Sequence, residues 1–192
     1  MALNLSEGRS FTPVPAGLHD AICISVVDLG MQQSVFGIKP KILLQWELPT
    51  CLGDDGKPMA ISRTFGATLH KQGGLRPLLA AWRGRDFTPE ELKSFAIDGL
   101  LGKPVKLLIQ HTTSAEGKTY ANVQAAVKPD KGQLTQTLAP LVRFDMGNPD
   151  ASAKALLSEW VQKLIDSAVP PAVKPATAAP TAMPDLDDDL TF

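Results

Sequence analysis

Residues 73–84 read GGLRPLLAAWRG, and the fold assigned to the chain turns on them. Leu75, Leu78, Leu79 and Trp82 recur at three- and four-residue intervals, the spacing of one helix face. Pro77 fits a helix only in its first turn, where the amide it lacks would have no intrahelical acceptor. Residues 88–95, TPEELKSF, begin a second helix. Thr88 is placed to cap it, Pro89 takes the first helical position, and Glu90 and Glu91 face the positive end of the helix dipole.

On both sides of this insertion the period is two, the signature of strands. Upstream, HDAICISVVDLG (19–30) sets Ile22, Ile24 and Val26 on one face. GIKPKILLQWELP (37–49) sets Ile42, Leu44, Trp46 and Leu48 on one face and Lys41, Leu43, Gln45 and Glu47 on the other. The stretch GMQQSVFG (30–37) between them, with glycine at both ends, reads as a hairpin loop. CLGDDGKP (51–58) is a turn dense in Gly and Asp, and MAISRTFG (59–66) is a third strand with Ile61, Arg63 and Phe65 on one side. Downstream, GKPVKLLIQH (102–111) and TYANVQAAV (119–127) flank the turn AEGK (115–118). They point Val105, Leu107 and Ile109, and Ala121, Val123 and Ala125, inward.

Three strands, a helical insertion and two more strands are the element order of an OB-fold. The expected fold is mainly β: a five-stranded OB-fold barrel with a helical insertion between strands 3 and 4. A C-terminal amphipathic helix follows at 149–168, with Leu157, Trp160, Val161, Leu164 and Ala168 along its stripe. It is expected to pack on the barrel or on a second copy of the chain, which makes a homodimer. The chain divides into an irregular lead-in (1–17), the barrel domain (18–148), the helix (149–168), a Pro/Ala-rich linker read as disordered (169–184) and an acidic tip (185–192).

A chain that is 44% hydrophobic and 20% charged can bury a core. No apolar run reaches the ~20 residues of a membrane helix, and no basic segment followed by an apolar one marks a secretory signal at the start. Cys23 and Cys51 make no disulfide framework. The expectation is a cytoplasmic protein without a membrane partner. The net charge of −1 conceals a division. Residues 39–131 carry 14 Lys/Arg against 9 Asp/Glu, whereas residues 169–192 carry one Lys against four Asp. A solvated surface or a polyanion-binding face both account for the basic centre.

No metal or catalytic motif is present. His19, His70 and His111 are scattered, and their spacing with Cys23 and Cys51 matches no zinc signature. An enzyme, a metal site and a cofactor are not expected. Binding of single-stranded nucleic acid needs cations to follow phosphates and flat side chains to stack on bases. The candidate cations are Lys39, Lys41, Arg63, Lys71 and Lys106; the candidate stackers are Phe36, Phe65 and Tyr120. Tyr120 alternates with Asn122 and Gln124 on the polar side of its strand, as a base platform or as a rim residue. Phe65 shares its face with both Ile61 and Arg63, which leaves its side open. Trp46 reads as core. Arg83 and Arg85 in WRGRDF suit either a phosphate contact or a solvated helix end.

The chain finishes MPDLDDDLTF. Asp185, Asp187, Asp188 and Asp189, with Leu190 and the carboxylate-bearing Phe192, form a compact ligand for a pocket with an apolar hole and a basic rim. The linker, about sixteen residues at ~3 Å each, gives the tip a reach of ~50 Å. The same tip can compete intramolecularly with DNA for a basic groove.

DLDDDLTF resembles the acidic, phenylalanine-terminated tip of bacterial single-stranded DNA-binding proteins, with Thr191–Phe192 where the usual tip has Pro-Phe. The body is similar to a family of phage-encoded single-stranded DNA-binding proteins. The similarity lies in VPAGLHDAICISVVDLG, FGIKPKILLQWELP, GKPMAISRTFGATLH, LLAAWRGRDFTPEEL and LLGKPVKLLIQH, over roughly residues 14–128. The resemblance implies an OB-fold, sequence-independent binding of single-stranded DNA, and a role in phage DNA replication or recombination in the host cytoplasm. It also implies recruitment of replication or recombination proteins through the tip. The rival readings are an OB-like protein-interaction adaptor and a virion structural component, neither touching nucleic acid.

Overall fold

The computed structural model describes residues 12–35, 37–133 and 136–170. The Pro/Ala-rich linker from residue 171 onward, the acidic tip and Phe36 lie outside the described residues. β1 (Gly17–Ser34), β2 (Gly37–Leu52), β3 (Pro58–Gly66), β4 (Pro104–Thr113), β5 (Thr119–Val127) and β6 (Val142–Phe144) form one sheet. Between β3 and β4 come α1 (Leu75–Arg83), α2 (Pro89–Lys93) and a 3-10 turn at Ile97–Leu100. α3 (Ala151–Ala155) and α4 (Glu159–Asp166) follow β6.

The sheet order is β3-β2-β1-β4-β5, with β6 added parallel to β1. All other pairings are antiparallel. Among the described residues no backbone ladder joins β3 to β5, so the sheet is open. The expected closed five-stranded OB-fold barrel does not form, and the molecule is a mixed α/β domain with helical insertions. The resemblance to the phage-encoded OB-fold family therefore fails at the fold. A side chain occupies the place of the missing ladder: Arg63 Nη1 of β3 donates to the Val123 carbonyl of β5 at 2.6 Å. A ladder requires two backbones ~4.8 Å apart along their length; between β3 and β5 the contact is instead this side-chain hydrogen bond.

The two central strands are buried on both faces, which explains their nearly continuous apolar runs. One face of β1 and β2 packs Ala21, Cys23, Val26, Ile42, Leu44, Trp46 and Leu48 against Leu75, Leu78, Leu79 and Trp82 of α1. The helix face read from residues 73–84 is therefore the face that is buried. The Trp82 indole N–H donates to the Pro104 carbonyl at 2.8 Å, and its ring lies 6.3 Å from that of Trp46. The opposite face packs Val27, Leu29 and Leu43 against Val142 and Phe144 of β6 and Leu157, Val161 and Ile165 of the C-terminal helices.

Bulges decide which residues serve which face. The β1–β2 register shifts between Cys23 and Ser25, so the main core takes Ala21, Cys23 and Val26 rather than the evenly spaced Ile22, Ile24 and Val26. In β5 the shift opposite Leu108 and Ile109 leaves Gln124 unpaired. Ala126, not Ala125, is then the residue that reaches the core. A second β1 shift falls at Gly30, whose φ of +65° suits glycine. A Cβ there would come within 3.2 Å of Met146 and 3.3 Å of Ala168.

Two further expectations change. Met31–Ser34 belong to β1, and Ser34 pairs with Gly37, so the expected eight-residue loop is a tight turn. The helix expected over 149–168 is two short helices broken at Leu156–Ser158. The break turns Leu157, Val161 and Ile165 to the sheet and leaves Trp160 47% exposed. The helices pack on one face of the open sheet, not on a barrel, and Ile165 rather than Trp160 completes the packed stripe.

Candidate nucleic-acid interface

The candidate cations and rings fall into three places. Lys39, Lys41 and Lys71 gather where β2 begins and β3 ends. Lys41 pairs with Gly66, and the Ala67 amide donates to the Pro40 carbonyl at 2.9 Å, which ties the chain after β3 to β2. Thr68–Gly73 then makes a compact turn: the His70 amide donates to Thr68 Oγ1, and the Gly73 amide donates to the His70 carbonyl. Lys71 is exposed on this turn. It shares the rim of a shallow cavity of about 540 Å³ with Thr68, His70, Gln72 and Arg76.

Arg63 and Phe65 lie on the core side of β3, opposite Leu44 and Ile42. The Phe65 ring is 5% exposed, with the Arg63 guanidinium 5.0 Å from its centroid. Phe65 thus joins the core and presents no open ring to a base. Arg63 spends one donor on Val123.

Lys106 and Tyr120 share the outer face of β4 and β5. Tyr120, 53% exposed, pairs with Thr112, six residues along β4 from Lys106, or ~20 Å at the rise of a strand. Lys106 is ion-paired with Asp130 and, at 3.9 Å, with Asp20. The hydrogen bond to Asp130 raises its pKa above the ordinary lysine value. Its charge is therefore largely balanced within the chain. Asp185, Asp187, Asp188, Asp189, Leu190 and Phe192 lie outside the described residues, so the tip has no place in this geometry.

Arg83 and Arg85 have protein partners. Both donate to the Glu91 carboxylate, Arg85 Nη1 at 2.9 Å from Oε2. Glu91 also accepts from the Thr88 amide, and its own amide donates to Thr88 Oγ1, closing a capping box at the start of α2. Hydrogen bonds from Arg85, then Arg83, hold the Glu91 carboxyl far below the usual carboxylate range. The Arg83 guanidinium also lies 4.6 Å from the Phe87 centroid. Beside it, Arg76 donates to both oxygens of Asp86 at 3.0 and 2.8 Å. The dense WRGRDFTPEEL segment is a scaffold.

Periodicity missed two features. Glu47 is 3% exposed, yet its carboxylate accepts from the Leu138 and Ala139 amides and the Thr137 hydroxyl at 2.8–3.0 Å. It anchors the loop before β6 from more than 85 residues away, and alternation, which only sets it on a face with Lys41, Leu43 and Gln45, does not signal that role. The second is a cavity of about 390 Å³ floored by Trp82, Phe95, Leu100 and Pro104 and rimmed by Arg83, Lys103 and Lys128. Its lining comes from separate stretches of chain, so no single stretch signals it.

Among the described residues no group of three or more His, Cys, Asp or Glu side chains could hold a metal ion, and no helix is long and apolar enough to cross a membrane. The architecture defines the class, a mixed α/β domain built on an open six-stranded sheet. Compared with protein-family models and with curated proteins, the chain matches neither a family model nor a curated protein.

Proposed function

We propose that the chain binds single-stranded DNA without sequence preference, using the start of β2, the end of β3 and the turn that follows. The observation carrying this reading is charge segregation. Residues 29–46 and 56–85 hold eight Lys/Arg and no Asp or Glu; Arg76, Arg83 and Arg85 are paired with Asp86 and Glu91 and Arg63 turns to the core, so the reading rests on Lys39, Lys41 and Lys71. The β2–β3 ladder and the Pro40–Ala67 hydrogen bond bring the two stretches side by side. Lys41 and Lys71 are the phosphate-facing pair, with Lys39 beside them. Tyr120, on another face, is the ring that a longer strand would meet. Backbone-directed binding of this kind weakens with salt and tolerates any base. The protein acts by binding, in DNA replication or recombination. Its acidic tip docks partner proteins and competes for the basic surface.

A fluorescence-anisotropy titration of labelled oligo-dT at two salt concentrations, with duplex of equal length as control, tests this. Single-strand binding that falls steeply with salt and drops at least tenfold in Lys41→Glu/Lys71→Glu is expected. No binding at low salt overturns the reading in favour of a protein-interaction adaptor. One observation favours that second reading: Leu18, Tyr120 and Val127 stand 43–54% exposed on the outer face of the β1–β4–β5 region.

A further inference from the structure

At the far end of the sheet from Lys41, Cys51 and His19 meet. Cys51 lies near the end of β2, where the β2–β3 register jumps from Leu48–Met59 to Leu52–Pro58. His19 lies near the start of β1. Cys51 Sγ is 3.3 Å from His19 Nδ1, and His19 Nε2 is 2.9 Å from the Pro15 carbonyl oxygen. A carbonyl only accepts, so Nε2 carries the ring hydrogen and Nδ1 presents its lone pair. The donor facing that lone pair is the thiol. Among the described residues no charged side chain bonds the sulfur or either ring nitrogen. Both residues are half-buried, so a small reagent can reach the sulfur.

We propose that Cys51 is a modification site, a thiol activated by His19 that forms a mixed disulfide with low-molecular-weight disulfides. A thiol in hydrogen-bond reach of a base, with the base oriented by a third group, is the arrangement of an activated nucleophile. The Cys51 proton passes to His19 Nδ1, and the thiolate attacks one sulfur of the disulfide. The reagent's S–S bond breaks as the bond to Cys51 forms. The departing thiolate takes the proton from the imidazolium, so one thiol is consumed and one released. Cys23 is the built-in control. It is fully buried, its Sγ faces the Ser25 carbonyl at 3.8 Å, and burial pushes its thiol up to about 12.

The test treats the full native chain with glutathione disulfide at neutral pH and follows the mass increase at each cysteine. A peptide spanning residues 46–56 is the unfolded reference. One adduct, on Cys51, forming at least tenfold faster than on the peptide is expected. Cys51→Ser should abolish it, Cys23→Ser should leave it unchanged, and His19→Gln should slow it at least tenfold with its circular dichroism intact. A native rate no faster than the peptide's overturns the proposal, as does a folded His19→Gln that reacts at the wild-type rate. Should His19→Gln fail to fold, the comparison of native chain with peptide decides alone.

Discussion

Glu47 illustrates how a single side chain holds a distant segment. Removing its charge while keeping its shape, as Glu47→Gln does, weakens three hydrogen bonds to the loop before β6. Bonds to a charged acceptor carry ~1.5–3 kcal/mol each, and the amide retains part of that. A loss of about 2 kcal/mol in urea unfolding is expected, well above the ±0.5 kcal/mol of an ordinary surface change. Glu91 makes a different prediction. Its carboxyl is depressed in the folded chain by Arg85 and Arg83, so the unfolded chain binds its proton first as pH falls. Glu91 therefore contributes stability above its unfolded pKa near 4.5, and that stability is lost as pH drops toward the folded value. Glu91→Gln should flatten the acid limb of a stability–pH curve; an unchanged slope between pH 5 and 3 would remove Glu91 from the acid response.

The elements differ in how well pattern alone reads them. Between Gly73 and Lys93 local signals agree: apolar spacing, proline position, the Thr88 cap and the acidic first turn all place α1 and α2 where they form. In β1 and β5 an even alternation is interrupted by one unpaired residue, and a single shift sends the next side chain to the other face. No residue type at Ile24 or Gln124 announces the shift, because its cause is the partner strand. The C-terminal helices show the same limit. Trp160 and Ile165 suit a helical stripe about equally in sequence, and only the sheet beneath selects Ile165. Ile165→Ala should cost about 2–5 kcal/mol, whereas Trp160→Ala should stay within about 1 kcal/mol, both read from denaturant midpoints. Equal losses would mean that the helix presents a different face.

For the whole molecule, charge is arranged in two parts. Lys39, Lys41 and Lys71 belong to the end of the sheet where β2 begins and β3 ends, and four of the chain's aspartates sit within residues 185–189. Under the proposed function, deleting residues 185–192 should tighten single-strand binding at low salt, with the gain shrinking as salt screens the competition. Equal or weaker binding by the truncated chain would separate the tip from the groove. Of the eight candidate body residues, Phe36 lies outside the described residues, Tyr120 stands apart on β5, and Lys39, Lys41 and Lys71 belong to the end where β2 begins and β3 ends. The fold assigns Phe65 to the core, Arg63 to the gap between β3 and β5, and Lys106 to an ion pair. Alternation locates a residue on a strand but says nothing of a partner brought by another segment, and Val123 of β5 and Asp130, which follows β5, are such partners.

The sequence by itself determined the local grammar: five of the six strands, the position of α1 and α2, the apolar face of the insertion, and the division of charge between body and tip. These depend on neighbours within a few residues, where propensity, capping and periodicity act. Only the tertiary structure decided that the sheet stays open, that β6 joins β1 in parallel, and that Glu47 holds the loop before β6. It also placed Cys51 against His19. Each of these joins residues far apart in the chain, and their pairing depends on strand register and on which side chain fills a gap. Arg63 shows the reason most directly. Its place in the alternation is plain from MAISRTFG, but its role between two strand edges exists only once β5 arrives beside it.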